Sequence, residues 1–467
     1  MQRLLDSLAA VVGPAHVLKT TADMAPYLRD WRNRYQGSAQ CVVRPGSTQE
    51  VSAVVAVCAA AGVGIVPQGG NTGLVGGGIP DRGEVLVSLT RLNRIRSVDV
   101  DNNTITVEAG VILQQVQEAA VAANRLFPLA LAAQGSATIG GNISTNAGGV
   151  QVLRYGNMRE LVLGLEVVLP DGRVWNGLRA LRKDNTGYDL KHLFIGAEGT
   201  LGLVTAAVLK LFPRPQAQLT AWLAVPSPAA AVALLGRLRE TCGERVTAFE
   251  LMGQAPLDMV RRHLPQVQVP LVGAHPWQVL LELSDTWQDA PLTEMLSTVL
   301  APLLENGRVL DAALASSITQ ARALWQVRES IPEAQKIEGY SIKHDISMPV
   351  SAIAPFIEQA AAVLKKAFPD IRVVCFGHVG DGNLHYNLSP RSGDDTLFLS
   401  NTEAVNRIVH DLVHGLGGSI SAEHGIGQLK ISELKHYKNA LELDMMRALK
   451  RAIDPAAIMN PGKLFKA

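Results

Sequence analysis

Pro67-Gln-Gly-Gly-Asn-Thr-Gly-Leu74 and Gln134-Gly-Ser-Ala-Thr-Ile-Gly-Gly-Asn-Ile-Ser-Thr-Asn-Ala-Gly-Gly149 lie inside two segments, Val51–Pro80 and Leu126–Leu153, that contain no Asp, Glu, Lys or Arg. Glycine, asparagine and small hydroxyl residues leave backbone N–H groups bare and permit unusual φ/ψ values. Such a nest can cradle a pyrophosphate without any side-chain charge. Glycine-rich loops are also common as tight turns, and either loop alone allows that blander reading. A third run, Gly196-Ala-Glu-Gly-Thr-Leu-Gly202, lies in the same region and favours a large phosphate-bearing cofactor. No G-x-G-x-x-G and no G-x-x-x-x-G-K-[ST] occurs, which disfavours a Rossmann NAD site and a P-loop and leaves flavin as the candidate.

Outward from these loops, the first 210 or so residues alternate between helix-like and strand-like segments. Val51–Ala61 reads as a helix and Ile65-Val-Pro67 as a short strand. Glu84–Leu89 and Thr104–Glu108 alternate as half-buried strands do, and Gln114–Ala123 is again helical. Leu161–Leu169 and Arg173–Trp175 read as a hairpin turning at Asp171-Gly172. Phe212-Pro-Arg-Pro215 breaks this pattern and reads as a linker. Beyond it, strands alternate with amphipathic helices such as Ala229–Leu238 up to about Pro369, and four of the six tryptophans fall there, which suggests a separate core. From Val373 onward lie six of the eleven histidines, where a metal or a base is to be sought.

The chain has 467 residues, about three folding units at roughly 150 residues each. With 47% hydrophobic residues the core is ample, and 43 Lys and Arg against 42 Asp and Glu supply no basic field for nucleic acid. The four cysteines, Cys41, Cys58, Cys242 and Cys375, form no C-x-x-C, which excludes a disulfide scaffold and suits a reducing, cytoplasmic setting. In the first ten residues apolar positions recur at helical spacing between charges, unlike a secretory signal. Val51–Val66 is too short and glycine-broken for a membrane span.

Gly377-His-Val-Gly-Asp-Gly-Asn-Leu-His385 sets two histidines around an Asp-Gly turn that can aim both imidazoles at one point. Ser421-Ala-Glu-His-Gly-Ile-Gly427 adds Glu423 beside His424. His378, His385 and Glu423 suit a catalytic metal site with open positions, most simply Zn²⁺, with Mn²⁺ or Fe²⁺ as alternatives. On spacing alone, a hydrogen-bonded histidine pair and a surface Glu-His pair fit as well. His410 and His414 are i, i+4 on an expected helix, Ala404–His414, superficially like H-E-x-x-H. Asp411 stands where that motif has glutamate, and Gly415 to Gly418 ends the helix at once, so both are expected to be exposed helix residues.

Together with Arg182-Lys-Asp-Asn-Thr-Gly-Tyr-Asp189, these motifs resemble the vanillyl-alcohol oxidase/p-cresol methylhydroxylase superfamily from about Cys41 to Lys463. Within it, the C-terminal motifs resemble the FAD-linked D-2-hydroxyacid dehydrogenases, those acting on D-2-hydroxyglutarate more than those acting on D-lactate. The resemblance implies an α+β fold. A two-subdomain FAD-binding (PCMH-type) domain would span 1–213, an α/β substrate (cap) domain with the metal site 214–425, and a C-terminal helical segment completing the FAD domain 426–467. It implies FAD contacts at Pro67, Gln68, Gly69, Gly70, Asn71, Thr72, Gly73, Leu74, Gln134, Gly135, Ser136, Thr138, Gly141, Asn142, Asn146, Ala147, Gly148, Glu198, Gly199, Gly202, Val204 and Asn460. Members that bind flavin covalently place a histidine where this chain has Asn71, so the FAD is expected to be non-covalent.

The resemblance further implies metal ligation by His378, His385 and Glu423, substrate contacts from Arg328, Lys343, Asn387 and His424, and His424 as the general base. A divalent ion lowers the pKa of a hydroxyl by several units, which oxidation at C2 of a hydroxy acid requires. Two cations suit a dicarboxylate better than lactate. Pro332 departs from the threonine expected there, so one substrate hydrogen bond is missing or replaced, and D-malate or D-lactate stay open as substrates. An external electron acceptor (electron-transfer flavoprotein or quinone) is expected, no nucleic acid or membrane span, and a homodimer is the default assembly. A flavin-carrying subunit without activity of its own is the alternative of another class.

Overall fold

The computed structural model describes residues 1–271, 273–390 and 395–465. The chain forms two compact units, Met1–Gly148 with Tyr155–Arg214 and Glu423–Ala467, and Gly149–Arg154 with Pro215–Ala422.

The first unit holds two larger sheets and a two-stranded one, in which Phe212–Pro213, expected as part of a linker, pairs with Arg125–Leu126. In the four-stranded sheet, Val17–Leu18, Ala39–Val43, Glu84–Ser88 and Ile65–Gln68 lie in that order, the last three parallel. Helix Thr48–Ala61 covers this sheet. Ser47 caps its start by accepting the Glu50 N–H (3.1 Å), and Gly62, at φ +64°, ends it. Its apolar Val51, Val54, Val55 and Cys58 fall at i, i+3, i+4 and i+7, and all four are buried. The larger sheet is antiparallel, in the order Ile95–Asp99, Thr104–Glu108, Leu203–Lys210, Val162–Val168, Val174–Gly177. The Asp171-Gly172 turn joins its last pair, with Gly172 at φ +85°. Under this sheet Glu166 accepts hydrogen bonds from Thr48 (2.7 Å), Thr205 (2.9 Å) and Arg96 (3.0 Å).

The second unit is one seven-stranded antiparallel sheet. Its order is Asp311–Leu314, Ala217–Val225, Trp277–Asp285, Val246–Gly253, Ile371–His378, Asn383–Pro390, Asp345–Ser347. One face packs against helices Pro228–Cys242, Leu292–Glu305, Ile353–Ala367 and Thr402–Gly415. The opposite face packs Trp222, Met252, Leu280, Val374 and Phe376 against helices Gln254–His263, Ile318–Glu329 and Ile331–Glu338.

Three further expectations are corrected. The histidine-rich stretch from Val373 supplies strands to the second unit's sheet and is not a region apart. The boundary expected after residue 425 lies after Ala422: Glu423–Ala467 belongs to the first unit, where the N–H groups of Ile426 and Gly427 bond to Glu198. His410 is buried (4% exposed), its ring packed edge-on against His344 at 5.5 Å, and only His414 is exposed as expected. Among the described residues no helix is long and apolar enough to cross a membrane.

Candidate active site

In the first unit the glycine-rich loops enclose a cavity of about 330 Å³. Its wall is built from residues 67–79, Thr138, Gly141, Asn142, Ala147, Gly148, Glu198, Gly199, Gly202, Val204 and Asn460, with Glu423 and His424 also on it. The first loop leaves the end of strand Ile65–Gln68, and the second leads into the short helix Ile139–Ser144. The two backbones meet closely: a Cβ on Gly70 would lie 1.9 Å from the Ser136 carbonyl oxygen, so only glycine fits. Asn71, Glu198 and Asn460 all have positive φ (52°, 51° and 43°), the sparsely populated backbone that clusters where a loop is shaped for a ligand.

No lysine or arginine lines this cavity. Two of its three carboxylates, Asp30 and Glu198, are taken up by backbone N–H groups, Asp30 by Arg32 and Tyr35 and Glu198 by Ile426 and Gly427. Burial raises the Glu198 carboxyl, against the pull of those two N–H groups. Thr138 Oγ1 and Asn142 Nδ2 are buried in the wall without a protein partner. Unspent polar atoms among bare loop backbone fit a cofactor that brings its own phosphates and hydroxyls.

Gln134, Gly135, Ser136 and Asn146 are not among the residues that line this cavity. The Gln134 carbonyl accepts the backbone N–H of Gln114 from helix Leu113–Ala122, and the Ser136 hydroxyl donates to the Ala133 carbonyl. Asn146 accepts the Arg159 N–H at 2.9 Å.

In the second unit, strand register puts His378, His385, Asn387 and Lys343 on one sheet face. His385 opposes Phe376 and Asp345, His378 opposes Glu250, and the Ile342–Leu388 bridge sets Lys343 across from Asn387. The Asp381-Gly382 turn brings the rings of His378 and His385 to a centroid distance of 5.7 Å, nearly perpendicular at 78°. Burial pushes the Asp381 carboxyl in that turn up to about 6. Asn387 donates to Gln335 (3.0 Å) and accepts the His344 N–H (3.3 Å), while Lys343 is exposed.

The residue that sequence reasoning missed is Glu250. It is fully buried (0% exposed) and accepts from both Arg328 Nε (2.8 Å) and His378 Nδ1 (2.5 Å). Burial alone would raise its carboxyl, but the His378 and Arg328 charges and hydrogen bonds bring it down to about 2. Arg328 is itself buried (7% exposed), its guanidinium 4.8 Å from the Phe376 ring centre, so it is no surface cation. Metal-binding histidines commonly make such a contact to a carboxylate through the ring nitrogen that is not on the metal, so the His378–Glu250 pair is compatible with a metal site.

Residues 214–464 match the family described as FAD linked oxidases, C-terminal domain, and residues 39–177 match an FAD binding domain. The D-2-hydroxyglutarate dehydrogenase of Xanthomonas citri pv. viticola is 40% identical over 469 residues, covering 99% of this chain and 97% of that protein. The mitochondrial D-2-hydroxyglutarate dehydrogenase of Bos taurus is 39% identical over 464 residues, 98% of this chain and 83% of that one. Among solved structures, p-cresol methylhydroxylase with substrate bound superposes with a TM-score of 0.78 at 18% identity, covering 99% of this chain and 96% of its own. The family matches thus define an FAD-linked oxidase, with a fold like that of p-cresol methylhydroxylase. Within that class, the chain belongs to the FAD-linked D-2-hydroxyacid dehydrogenase family.

Proposed function

We propose that this protein oxidises D-2-hydroxyglutarate to 2-oxoglutarate with non-covalent FAD and a divalent metal, Zn²⁺ first among candidates, and passes the electrons to an electron-transfer flavoprotein or a quinone. The observation that carries the reading is the buried Glu250, which holds a guanidinium and an imidazole side by side on one sheet face. That face thereby presents a fixed cation for a carboxylate next to a histidine pair. The names of the relatives at 40% and 39% identity support the same substrate.

Bound FAD supplies a two-electron acceptor for the hydrogen leaving C2 of the substrate. A divalent ion supplies the Lewis acidity that makes the C2 hydroxyl acidic enough to ionise near neutral pH. His378 and His385 offer it imidazole nitrogens. Glu423 follows Ala422, whose N–H donates to the Asp345 carbonyl (3.2 Å), and Asp345 pairs with His385 in the sheet. Chain connectivity therefore supports Glu423 as the third donor.

The chain's own residues then bind, orient and deprotonate. Arg328 commits Nε to Glu250 and offers its Nη groups to the far carboxylate, with the exposed Lys343 as a second cation. His424, on the wall of the flavin cavity, accepts the C2 hydroxyl proton. Pro332, in the first turn of helix Ile331–Glu338, offers no hydroxyl, so the far carboxylate depends on the two cations.

Anaerobic bleaching of the oxidised flavin tests this reading. D-2-hydroxyglutarate, L-2-hydroxyglutarate and D-lactate are added separately, with and without prior EDTA treatment. Bleaching by the D-dicarboxylate alone, lost with EDTA and restored by Zn²⁺, is expected. Bleaching by lactate to the same extent overturns the far-end clamp, and no bleaching of an intact flavin overturns the hydroxyacid reading.

A further inference from the structure

Glu198 lies in the Gly196–Gly202 run that resemblance assigns to cofactor contact, yet its carboxylate is spent elsewhere. Oε1 accepts the Ile426 N–H and Oε2 the Gly427 N–H, each at 2.7 Å. These donors follow His424 by two and three residues. The carboxylate reaches them across Gly425, which has φ +79° and where a Cβ would lie 2.7 Å from Oε1, so the turn is shaped around this one side chain. Glu198 is itself held in place: its N–H donates to the Ser144 carbonyl (2.8 Å) and its carbonyl accepts Asn460 Nδ2 (2.7 Å). Its φ of +51° completes a side chain with little freedom to reorient.

We propose that Glu198 is a positioning residue for proton abstraction: its carboxylate clamps the Glu423–Gly427 turn and thereby fixes the His424 imidazole at the mouth of the flavin cavity. Two charge-assisted bonds to adjacent N–H groups define both the position and the tilt of the turn, where one bond would leave it free to pivot. The next residue, Gln428, is tied separately to Val75, Gly76 and Ile79, so the turn stays attached when the carboxylate is lost. Loss of Glu198 thus loosens the base and leaves the cavity standing. The inference rests on the reading of His424 as the base.

Glu198→Gln, Glu198→Asp, His424→Asn and the double variant Glu198→Gln/His424→Asn are compared as holoproteins. FAD content is read from absorbance, and flavin reduction by D-2-hydroxyglutarate is followed by anaerobic stopped flow across pH. Glu198→Gln keeps stoichiometric FAD and an unchanged substrate concentration for half-maximal rate, while its limiting reduction rate falls roughly 10- to 100-fold, the usual effect of losing an orienting partner. Glu198→Asp, which keeps the charge and shortens the reach, recovers part of the rate and covers the case in which Glu198→Gln does not fold. In the His424→Asn background, Glu198→Gln lowers the rate by less than about twofold, because the two act as one unit. Loss of FAD with a normal rate once FAD is restored overturns the proposal, since Glu198 would then be a cofactor contact. Multiplicative losses in the double variant also overturn it, while leaving the base assignment intact. A wild-type rate in His424→Asn overturns the base assignment, and the positioning role falls with it.

Discussion

Replacing Glu250 by glutamine tests the most buried charge arrangement in the second unit. The carboxylate bonds to Arg328 and His378 at 2.8 and 2.5 Å, and none of it reaches solvent. Glutamine keeps the shape and one acceptor oxygen but removes the charge, which leaves the buried guanidinium without a counter-ion. Breaking a buried pair in this one-sided way costs about 3–5 kcal/mol. The surviving acceptor places Glu250→Gln near the lower end, about 3 kcal/mol, a loss of roughly a hundredfold or more in the folded-to-unfolded ratio. Urea unfolding followed by tryptophan fluorescence reads this directly, because four of the six tryptophans lie in the second unit. EDTA is present throughout so that bound metal adds nothing to the folded state. The midpoint falls and the slope stays, since the surface exposed on unfolding is unchanged. Arg328→Met in the same background restores most of the loss, because a neutral pair leaves no orphaned charge. FAD content is unaffected, as Glu250 belongs to the other unit. A loss below about 1 kcal/mol, or no recovery in the double variant, refutes the claim that Glu250 is the counter-ion holding Arg328.

Three further outcomes follow from the first unit. Gly70→Ala drives a Cβ into the Ser136 carbonyl oxygen, so the purified protein loses its 450 nm absorbance (roughly, the oxidised-flavin band) while its circular dichroism is retained; full FAD occupancy would show that the loops can part freely. With Asn71 at the position where covalent members carry histidine, acid precipitation releases all flavin into the supernatant, and a yellow pellet would overturn non-covalent binding. Burial would raise the Glu166 carboxyl, but the Arg96 guanidinium and the Thr48 and Thr205 hydroxyls hold it below the ordinary value of 4.5. A depressed carboxylate stabilises the fold above its unfolded pKa and loses that contribution as pH falls through its folded one. The stability advantage of wild type over Glu166→Gln is therefore full above pH 4.5 and shrinks in acid, and a pH-independent difference would show that the ionised carboxylate is not what matters.

Local signals made much of this molecule legible. Helix Thr48–Ala61 has its serine cap, its i, i+3, i+4, i+7 apolar set and its terminal glycine all within sixteen residues of sequence. The Asp171-Gly172 hairpin and the Asp381-Gly382 turn are fixed by dipeptides that specify a reversal. Charge-free loops became a cavity wall because a bare backbone nest needs no partner from elsewhere in the chain to be recognised. The same locality limits what the motif says of Gln134, Ser136 and Asn146. A motif says that a loop is near the cofactor, but turn geometry decides which of its residues point inward, and these are held by Gln114, Ala133 and Arg159.

What stayed hidden depends on pairing across long separations. Glu250 meets partners 78 and 128 residues away, and Glu198 meets donors 228 and 229 residues away, distances at which no window of sequence carries the contact. Strand alternation could not expose Glu250 either. Val246–Gly253 reads Val-Thr-Ala-Phe-Glu-Leu-Met-Gly and is buried at every position, because helices cover both faces of the sheet. A strand buried on both sides shows a continuous apolar run instead of a period of two, so face assignment is lost. The remaining signal is the anomaly itself: one carboxylate inside an otherwise uncharged buried strand cannot persist without cations to pair it. The same argument reverses the reading of Arg328. Spacing alone makes it one surface cation among 43, but a buried glutamate requires a buried positive charge, and the sheet brings Arg328 to it.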